Sequence, residues 1–548
     1  MRMATYLSSS LLGASLLAAA LSAQSASFPP MPVPAGNPIT TAKTLLGKAL
    51  FFEEQISASK RMACATCHVM EKGSSDPRSM LAESLHPGAD GRFGTRDDVR
   101  GSLGVIGAEP DGRLRSTTHF GLRRQVTDRR SMPVFNGAWA PSLFWDGRAR
   151  DALVDPVTQQ TVLPANAALE SQALMPLEST TEMAHFGQKW SDVVDRLKAA
   201  RPLALASNLG TALSNFVGTH GYPELFRQAF GTTEITPVRI AMAVATYERT
   251  LVSDQSRFDQ AWPGNMRILT QQERRGHHVF RQVAGCVNCH SLPFGTDNLF
   301  HYTGVADPNG DPGLEAVTQN PADRAKMRTP SVRNVALRPP FFRDGSAKTL
   351  AEVVDFYDRG GDFNAPNKDP LIRPLNLVAS DKAALVAFLN TLTDPRMASA
   401  LPPFDRPTLW SESSQGQPSV YGQGTPGSGQ ITPRIVAGSH GLLGNDRLPI
   451  GIESGAGGAG ALLALDAAPS AAGIPVLGIQ LHLGLSGAFF FLPPVVLQGQ
   501  GDGAGWGSWV LAVPNAPGLR GASLYAQALV VDPSGLSATE GLRVPLFD

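Results

Sequence analysis

All four cysteines of the chain sit in one repeated pattern, CATCH at residues 64–68 and CVNCH at 286–290. Two thiols separated by two residues, with an imidazole directly after the second, can add to both vinyl groups of one haem and turn the histidine to its iron as proximal ligand. CXXC pairs also build zinc ribbons, and a single pair builds a thioredoxin-like redox site. Neither alternative asks for a histidine after the second cysteine of both pairs. The pattern therefore predicts two covalently attached c-type haems, one on Cys64, Cys67 and His68 and one on Cys286, Cys289 and His290.

Such motifs need helices to hold them. Thr270 to Glu273, TQQE, reads as a capping box opening a helix that leads through Val279, Phe280 and Val283 to CVNCH. Thr236 and Pro237 read as the N-cap and first position of a helix whose stripe is Ile240, Val244, Tyr247 and Leu251. Ser380 is expected to cap a later helix carrying Leu385, Phe388, Leu389 and Leu392. The expected fold is mainly α up to about residue 395, as two cytochrome c-like haem domains over 27–235 and 236–398. A Pro/Gly/Ser linker over 399–430 follows. Short alternating runs such as IQLHLGL (479–485) and SLYAQALVV (523–531) then predict an all-β, sandwich-like accessory domain over 431–548. No internal repeat is evident.

At 548 residues the chain exceeds what one hydrophobic core can organise. Lys plus Arg and Asp plus Glu number 47 each, which removes any electrostatic case for nucleic acid or an anionic membrane as partner. Arg2, an apolar run from about Leu11 to Leu21 and small residues up to Ala26 read as a signal peptide over 1–26. That run is too short to span a bilayer, and no later segment reaches the roughly 18 apolar residues a span requires. An exported, periplasmic protein without a membrane span is expected. Export also favours haem over zinc at the CXXCH motifs.

Further motifs stand around the haem sites: FWDGRA (144–149), QALMPLESTTEM (172–183), FGTDNLFHYTG (294–304), RTPSVRNVAL (328–337) and FFRDGSAKTLAEVVDFY (341–357). With LLGKALFFEEQISASKRMACATCH (45–68), they make the chain from 45 to about 393 resemble the bacterial di-haem cytochrome c peroxidase family, which includes the MauG enzymes. The resemblance implies reduction of hydrogen peroxide with electrons passed between the haems from a small electron-donor protein. Peroxide cleavage needs a group that takes a proton from one oxygen and returns it to the other. The family positions for that work fall on Glu182 and Gln172, with Pro176 in the same distal loop, and Trp145 matches the tryptophan lying between the haems. Two other readings stay open: a MauG-like oxidase that modifies a protein substrate, and a di-haem electron-transfer cytochrome without catalysis.

The chain also departs from the family pattern. The connection from Asp151 to Ser171 is longer than usual, and the segment from about 70 to 128 is enlarged. Only His86 and His119 fall where some members carry a removable distal histidine, and a surface-loop role is expected for both. The family calcium positions fall on the Ser131 side chain and the carbonyls of Arg338 and Pro340, and serine is a weaker calcium ligand than the family asparagine. Fourteen residues after Arg343 in FFRDG, where classical members place a methionine ligand, stands Tyr357, as in MauG-type members. Tyr357 is thus the candidate axial ligand of the second haem, against a plain packing role. Met327 is the less favoured substitute. An anionic oxygen donor would favour ferric and higher states, where a thioether raises the potential.

Overall fold

The computed structural model describes residues 28–262, 264–413 and 416–548. The segment read as a signal peptide lies outside the described residues. Three hydrophobic cores follow one another along the chain. The first gathers residues from Leu46 to Leu251 and takes back Met397, Phe404 and Leu409. The second runs from Phe258 to Leu392 and the third from Ile435 to Leu546.

In the first core three helices matter: α1 (Thr41–Phe51), α2 (Ala168–Glu178) and α3 (Pro237–Glu248). The Thr236 side chain accepts from the Arg239 amide, so α3 begins where its cap and proline predict. Helices α1 and α3 cross so closely that a Cβ on Gly47 would stand 1.9 Å from the Ala243 carbonyl oxygen. Only glycine permits that approach. Helix α2 lies across α3 and is tied to it by a fully buried ion pair, with both Arg249 terminal nitrogens on the Glu170 carboxylate at 2.8 and 2.9 Å. The Asn37 amide adds a third donor to that carboxylate at 2.8 Å.

The second core repeats the arrangement with α4 (Gln271–His278), α5 (Leu350–Asp358) and α6 (Ala379–Asn390). The Thr270–Glu273 capping box forms as read. A π-helical turn, Val279–Val283, then leads toward Cys286. Helix α6 starts after Val378, so Ser380 lies inside the helix and caps nothing. A Cβ on Gly276 would stand 1.9 Å from the Ala384 carbonyl oxygen, the same crossing as Gly47 on Ala243.

Further equivalences follow. Asn136 and Asn334 are both left-handed (φ 55° and 54°) and open short 3-10 turns. Their amides donate to the Leu251 and Leu392 carbonyls, each at 3.0 Å. Phe144 in FWDG and Phe342 in FRDG share φ values of 67° and 66°. The two haem regions are therefore an internal repeat, contrary to the sequence reading. Insertions of unequal length and few shared side chains hide it in the sequence. The helix from 237, which the sequence assigns to the second haem unit, packs in the first core instead, because its stripe meets α1 and α2.

The C-terminal region packs two largely antiparallel sheets over one core, with a separate hairpin of Pro469–Val476 and Ile479–Leu483. One has Leu448–Gly455 between Arg434–Ala437 and Gly505–Leu511. The other runs Ser419–Tyr421, Gly541–Phe547, Ser523–Asp532, Gly460–Asp466. Ile450 and Ile452 face Leu463, Val530 and Val544 between them. Helices make up 28% of the chain, so the mainly α expectation gives way to a mixed composition.

The segment read as a linker is packed rather than free: Phe404 is buried, Thr408–Leu409 pairs with Ala206–Ser207, and Trp410 stacks on Phe547 at 3.8 Å. The Glu54 carboxylate accepts the Trp410 and Ser411 amides at 2.8 and 3.1 Å. The β region grips the first haem region on both sides of CATCH. Ser439 donates to the Ser59 carbonyl and Arg61 to the Ala437 carbonyl, while Glu453 accepts the Leu122 amide. No described helix is long and apolar enough to cross a membrane.

Replacing Glu170 with Gln strands the buried Arg249 guanidinium. Chemical unfolding of the holoprotein is expected to show a loss of about 3–5 kcal/mol, and a loss well under 1 kcal/mol would show that the pair does not organise α2 on α3.

Candidate haem centres and the wall between them

Each CXXCH motif opens onto its own cavity. CATCH begins with the one-turn helix Cys64–Cys67, which places both sulfurs on one side. The four cysteines form no disulfide. Nδ1 of His68 stands 3.3 Å from the Ser74 carbonyl, and Nδ1 of His290 stands 3.1 Å from the Gly295 carbonyl. A carbonyl only accepts, so Nδ1 carries the proton in both rings and Nε2 keeps the lone pair. Burial pushes both imidazoles below their usual range, which keeps them neutral. Two sulfurs, a neutral imidazole with an available lone pair and an apolar cavity beside each motif fit a covalent haem at both places.

The first cavity is bordered by His68, Gln172, Pro176, Glu182 and Trp145. Gln172 and Pro176 come from α2, and Glu182 from the turn after it. That turn is braced by the enlarged segment: the Val105 amide donates to the Thr181 carbonyl at 2.9 Å and the Gln125 side chain to the Thr180 carbonyl at 2.7 Å. A Cβ on Gly104 would stand 1.8 Å from the Thr181 carbonyl oxygen, so this approach also demands glycine. Burial pushes the Glu182 carboxyl up. His119 is exposed and His86 hydrogen-bonds the Gly88 amide; neither borders this cavity.

The second cavity is walled by Phe280, Val354, Leu385 and Leu389 around His290, with Tyr357 at the end of α5. The Tyr357 ring packs against Phe356 and Phe342 at 5.0 and 6.3 Å. Burial raises its phenol above the usual range. Met327 also borders this cavity, from the short strand Met327–Arg328.

Trp145 belongs to the walls of both cavities. Its indole N–H donates to the Arg130 carbonyl at 2.8 Å, and its own carbonyl accepts the Arg328 amide at 2.7 Å. Beside it, Arg129 reaches Asp146 at 2.6 Å and Asp311 at 2.7 Å, and Asp311 also holds Arg343 at 2.8 Å. Trp145 and Arg343 hold equivalent places in the two repeats, FWDG and FRDG, so this network joins one repeat to the other.

The residues read as calcium donors do not fit a divalent cation. The Ser131 hydroxyl donates to the Cys67 carbonyl at 3.0 Å and accepts the Asp76 amide at 3.2 Å. The Arg338 carbonyl accepts from the Arg130 guanidinium at 3.3 Å. Arg130 and Arg338 are both buried there, and Pro340 brings only a backbone carbonyl to this cationic neighbourhood.

One side chain in the first cavity goes unnoticed in the sequence reading. Glu248, the last residue of α3, borders the cavity and is 3% exposed. It stands in register with Ile240 and Val244, at i, i+4 and i+8, and a carboxylate on a buried stripe is the signal that could have found it.

Comparison with known proteins accords with this geometry. Residues 41–267 match the family model described as di-haem cytochrome c peroxidase. The methylamine utilization protein MauG of Methylorubrum extorquens is 32% identical over 374 residues, spanning 68% of this chain and 84% of the relative. The cytochrome c551 peroxidase of Nitrosomonas europaea is 29% identical over 381 residues, spanning 69% of this chain and 87% of the relative. The crystal structure of a MauG-like protein associated with microbial copper homeostasis superposes with a TM-score of 0.51 at 27% identity, covering 70% of this chain and 97% of that one. With two CXXCH cavities and one tryptophan shared between them, the chain belongs to the di-haem cytochrome c peroxidase family and is an oxidoreductase with two covalently bound c-type haems.

Proposed function

We propose that the protein reduces hydrogen peroxide in the cavity beside His68, drawing electrons through the cavity beside His290. The observation that carries the reading is the position of Trp145 in the wall of both cavities. When bound, the haems supply the open coordination position and the redox equivalents. The protein supplies the rest. Glu182, buried and raised toward its neutral form, takes a proton from the near peroxide oxygen and returns it to the departing one. Gln172 orients peroxide from α2. Nδ1 hydrogen bonds from His68 and His290 fix both proximal rings. Trp145, immobilised at its indole N–H and its carbonyl, couples the two centres.

Tyr357 supports a second reading within the same chemistry, in which the oxidising equivalents are spent on a protein substrate as in a MauG-like oxidase. Its phenol borders the second cavity from the end of α5, where it would offer an oxygen ligand to a bound haem. Such a ligand disfavours the reduced state and makes the centre a poor acceptor from a small donor cytochrome. Export to the periplasm follows from the signal peptide read at 1–26 and from the attachment of haem through CXXCH.

Glu182→Gln keeps the shape and removes the proton carrier. Stopped-flow and steady-state assays of the holoenzyme are expected to show a fall of about 10²- to 10⁴-fold in peroxide turnover. Unchanged turnover would remove Glu182 from the mechanism. Tyr357→Phe is expected to change the optical and EPR signals assigned to the second haem while leaving those of the first, and identical spectra would reduce Tyr357 to a packing residue.

A further inference from the structure

The internal repeat allows each residue of one haem cavity to be compared with its counterpart in the other. Gly47 on Ala243 matches Gly276 on Ala384. The Leu251 carbonyl that receives Asn136 matches the Leu392 carbonyl that receives Asn334. Both equivalences give the same offset along α3 and α6, and that offset places Glu248 opposite Leu389. Each borders the cavity of its own repeat. The second cavity has a hydrocarbon side chain where the first has a carboxyl.

That carboxyl has no hydrogen-bond partner among the described residues. Its Oε2 is buried without a hydrogen bond, and no side-chain bond to Glu248 forms among the described residues. The neighbouring Arg249 acts on it only through its charge, because its hydrogen bonds go to Glu170. Leaving a buried carboxyl unsatisfied is costly, and Leu389 demonstrates that the scaffold accepts an apolar residue at this position. A group kept there against its folding cost calls for a use inside the cavity.

Building on the peroxidase reading above, we propose that Glu248 is a proton-supplying residue of the first cavity, which it borders together with Glu182. Reduction of hydrogen peroxide breaks the O–O bond and consumes two electrons and two protons to give two waters. Glu182 moves the proton of the near oxygen to the far one, which leaves as the first water. The remaining oxygen takes two electrons, delivered from the donor through the haems, and two protons, and leaves as the second water. Glu248 gives one of those protons and recovers it from solvent, and solvent water supplies the other. Burial pushes its carboxyl up to about 8, while Arg249 lowers it and Glu170 raises it. Other charged or titratable groups bordering the cavity are His68, Asp128, Arg129, Arg130, Arg148, Glu182 and Arg328, and Cys64 lies close enough to be influenced by both Glu182 and Glu248. A group with this elevated pKa holds its proton below about pH 8 and loses it above, so the supply is present at neutral pH and fails on the alkaline side.

The test uses the full-length holoenzyme, hydrogen peroxide and a chemical electron donor across pH 6 to 10, with resting EPR and haem content recorded alongside. In the wild type, turnover is expected to fall with an apparent pKa near 8. Glu248→Gln is expected to lower turnover at pH 7 by about a hundredfold and to abolish the alkaline fall, with EPR and haem content unchanged. Glu248→Asp should restore most of the activity with a shifted limb. Wild-type turnover and pH profile in Glu248→Gln would overturn the proposal, as would altered EPR or haem content, which would make Glu248 a haem anchor instead. If Glu248→Gln yields no holoprotein, the wild-type alkaline limb and its displacement in Glu248→Asp decide the matter, and absence of either overturns it. A wild-type holoenzyme inert to peroxide would sink the peroxidase reading itself, and this one with it.

Discussion

The partly buried arginine Arg129 ties the two haem-bearing repeats together. Its guanidinium spans Asp146, next to Trp145 in the first repeat, and Asp311, which in turn holds Arg343 of the second. A planar fork with two carboxylates around it fixes angle as well as distance, which a lysine could not do. That clamp adds to the hydrogen bonds that already pin Trp145 to Arg130 and Arg328 and so keep one indole in the wall of two cavities. The shared wall brings the two cavities to either side of one side chain.

Two copies of one scaffold, each built on a glycine-on-carbonyl helix crossing, have been turned to different chemistry by a few side chains. FWDG faces FRDG, and a buried carboxyl on α3 faces a leucine on α6. Helix α2 brings an amide and a proline to its cavity, while α5 brings a phenol. Backbone geometry is conserved between the repeats down to the positive φ of Asn136 and Asn334. The rigid part fixes where a haem can sit, and the variable part fixes what each haem environment can do.

The C-terminal β region adds to this scaffold something that the relatives' shared two-thirds does not supply. It clamps the turn before CATCH and the enlarged segment near Leu122, and that segment in turn braces the turn carrying Glu182. Through those contacts a region distant in sequence steadies the first cavity. The glycines at 438 and 451 admit the Leu114 side chain between the sheet and the enlarged segment, so the two insertions fit each other.

Contiguous residues settled what the sequence alone could settle. CXXCH carries both sulfurs and the imidazole within five residues, and the caps at Thr236 and Thr270 act within three, so haem attachment and helix starts were readable directly. Order of motifs made the family legible, and with it Gln172, Glu182, Trp145 and Tyr357 as candidates. The rest depends on contacts between residues a hundred or more apart. The sequence shows the calcium set weakened only at Ser131, yet in the fold a guanidinium already occupies the Arg338 carbonyl. The linker composition suggests freedom, yet Glu54 fixes two of its amides. Glu248 looks like one more charge on a helix, and only the crossing of α3 over α1 and α2 turns it into the cavity. Tertiary structure decided these points because partner, burial and direction of a side chain belong to the packing of whole helices, and no local run of residues encodes them.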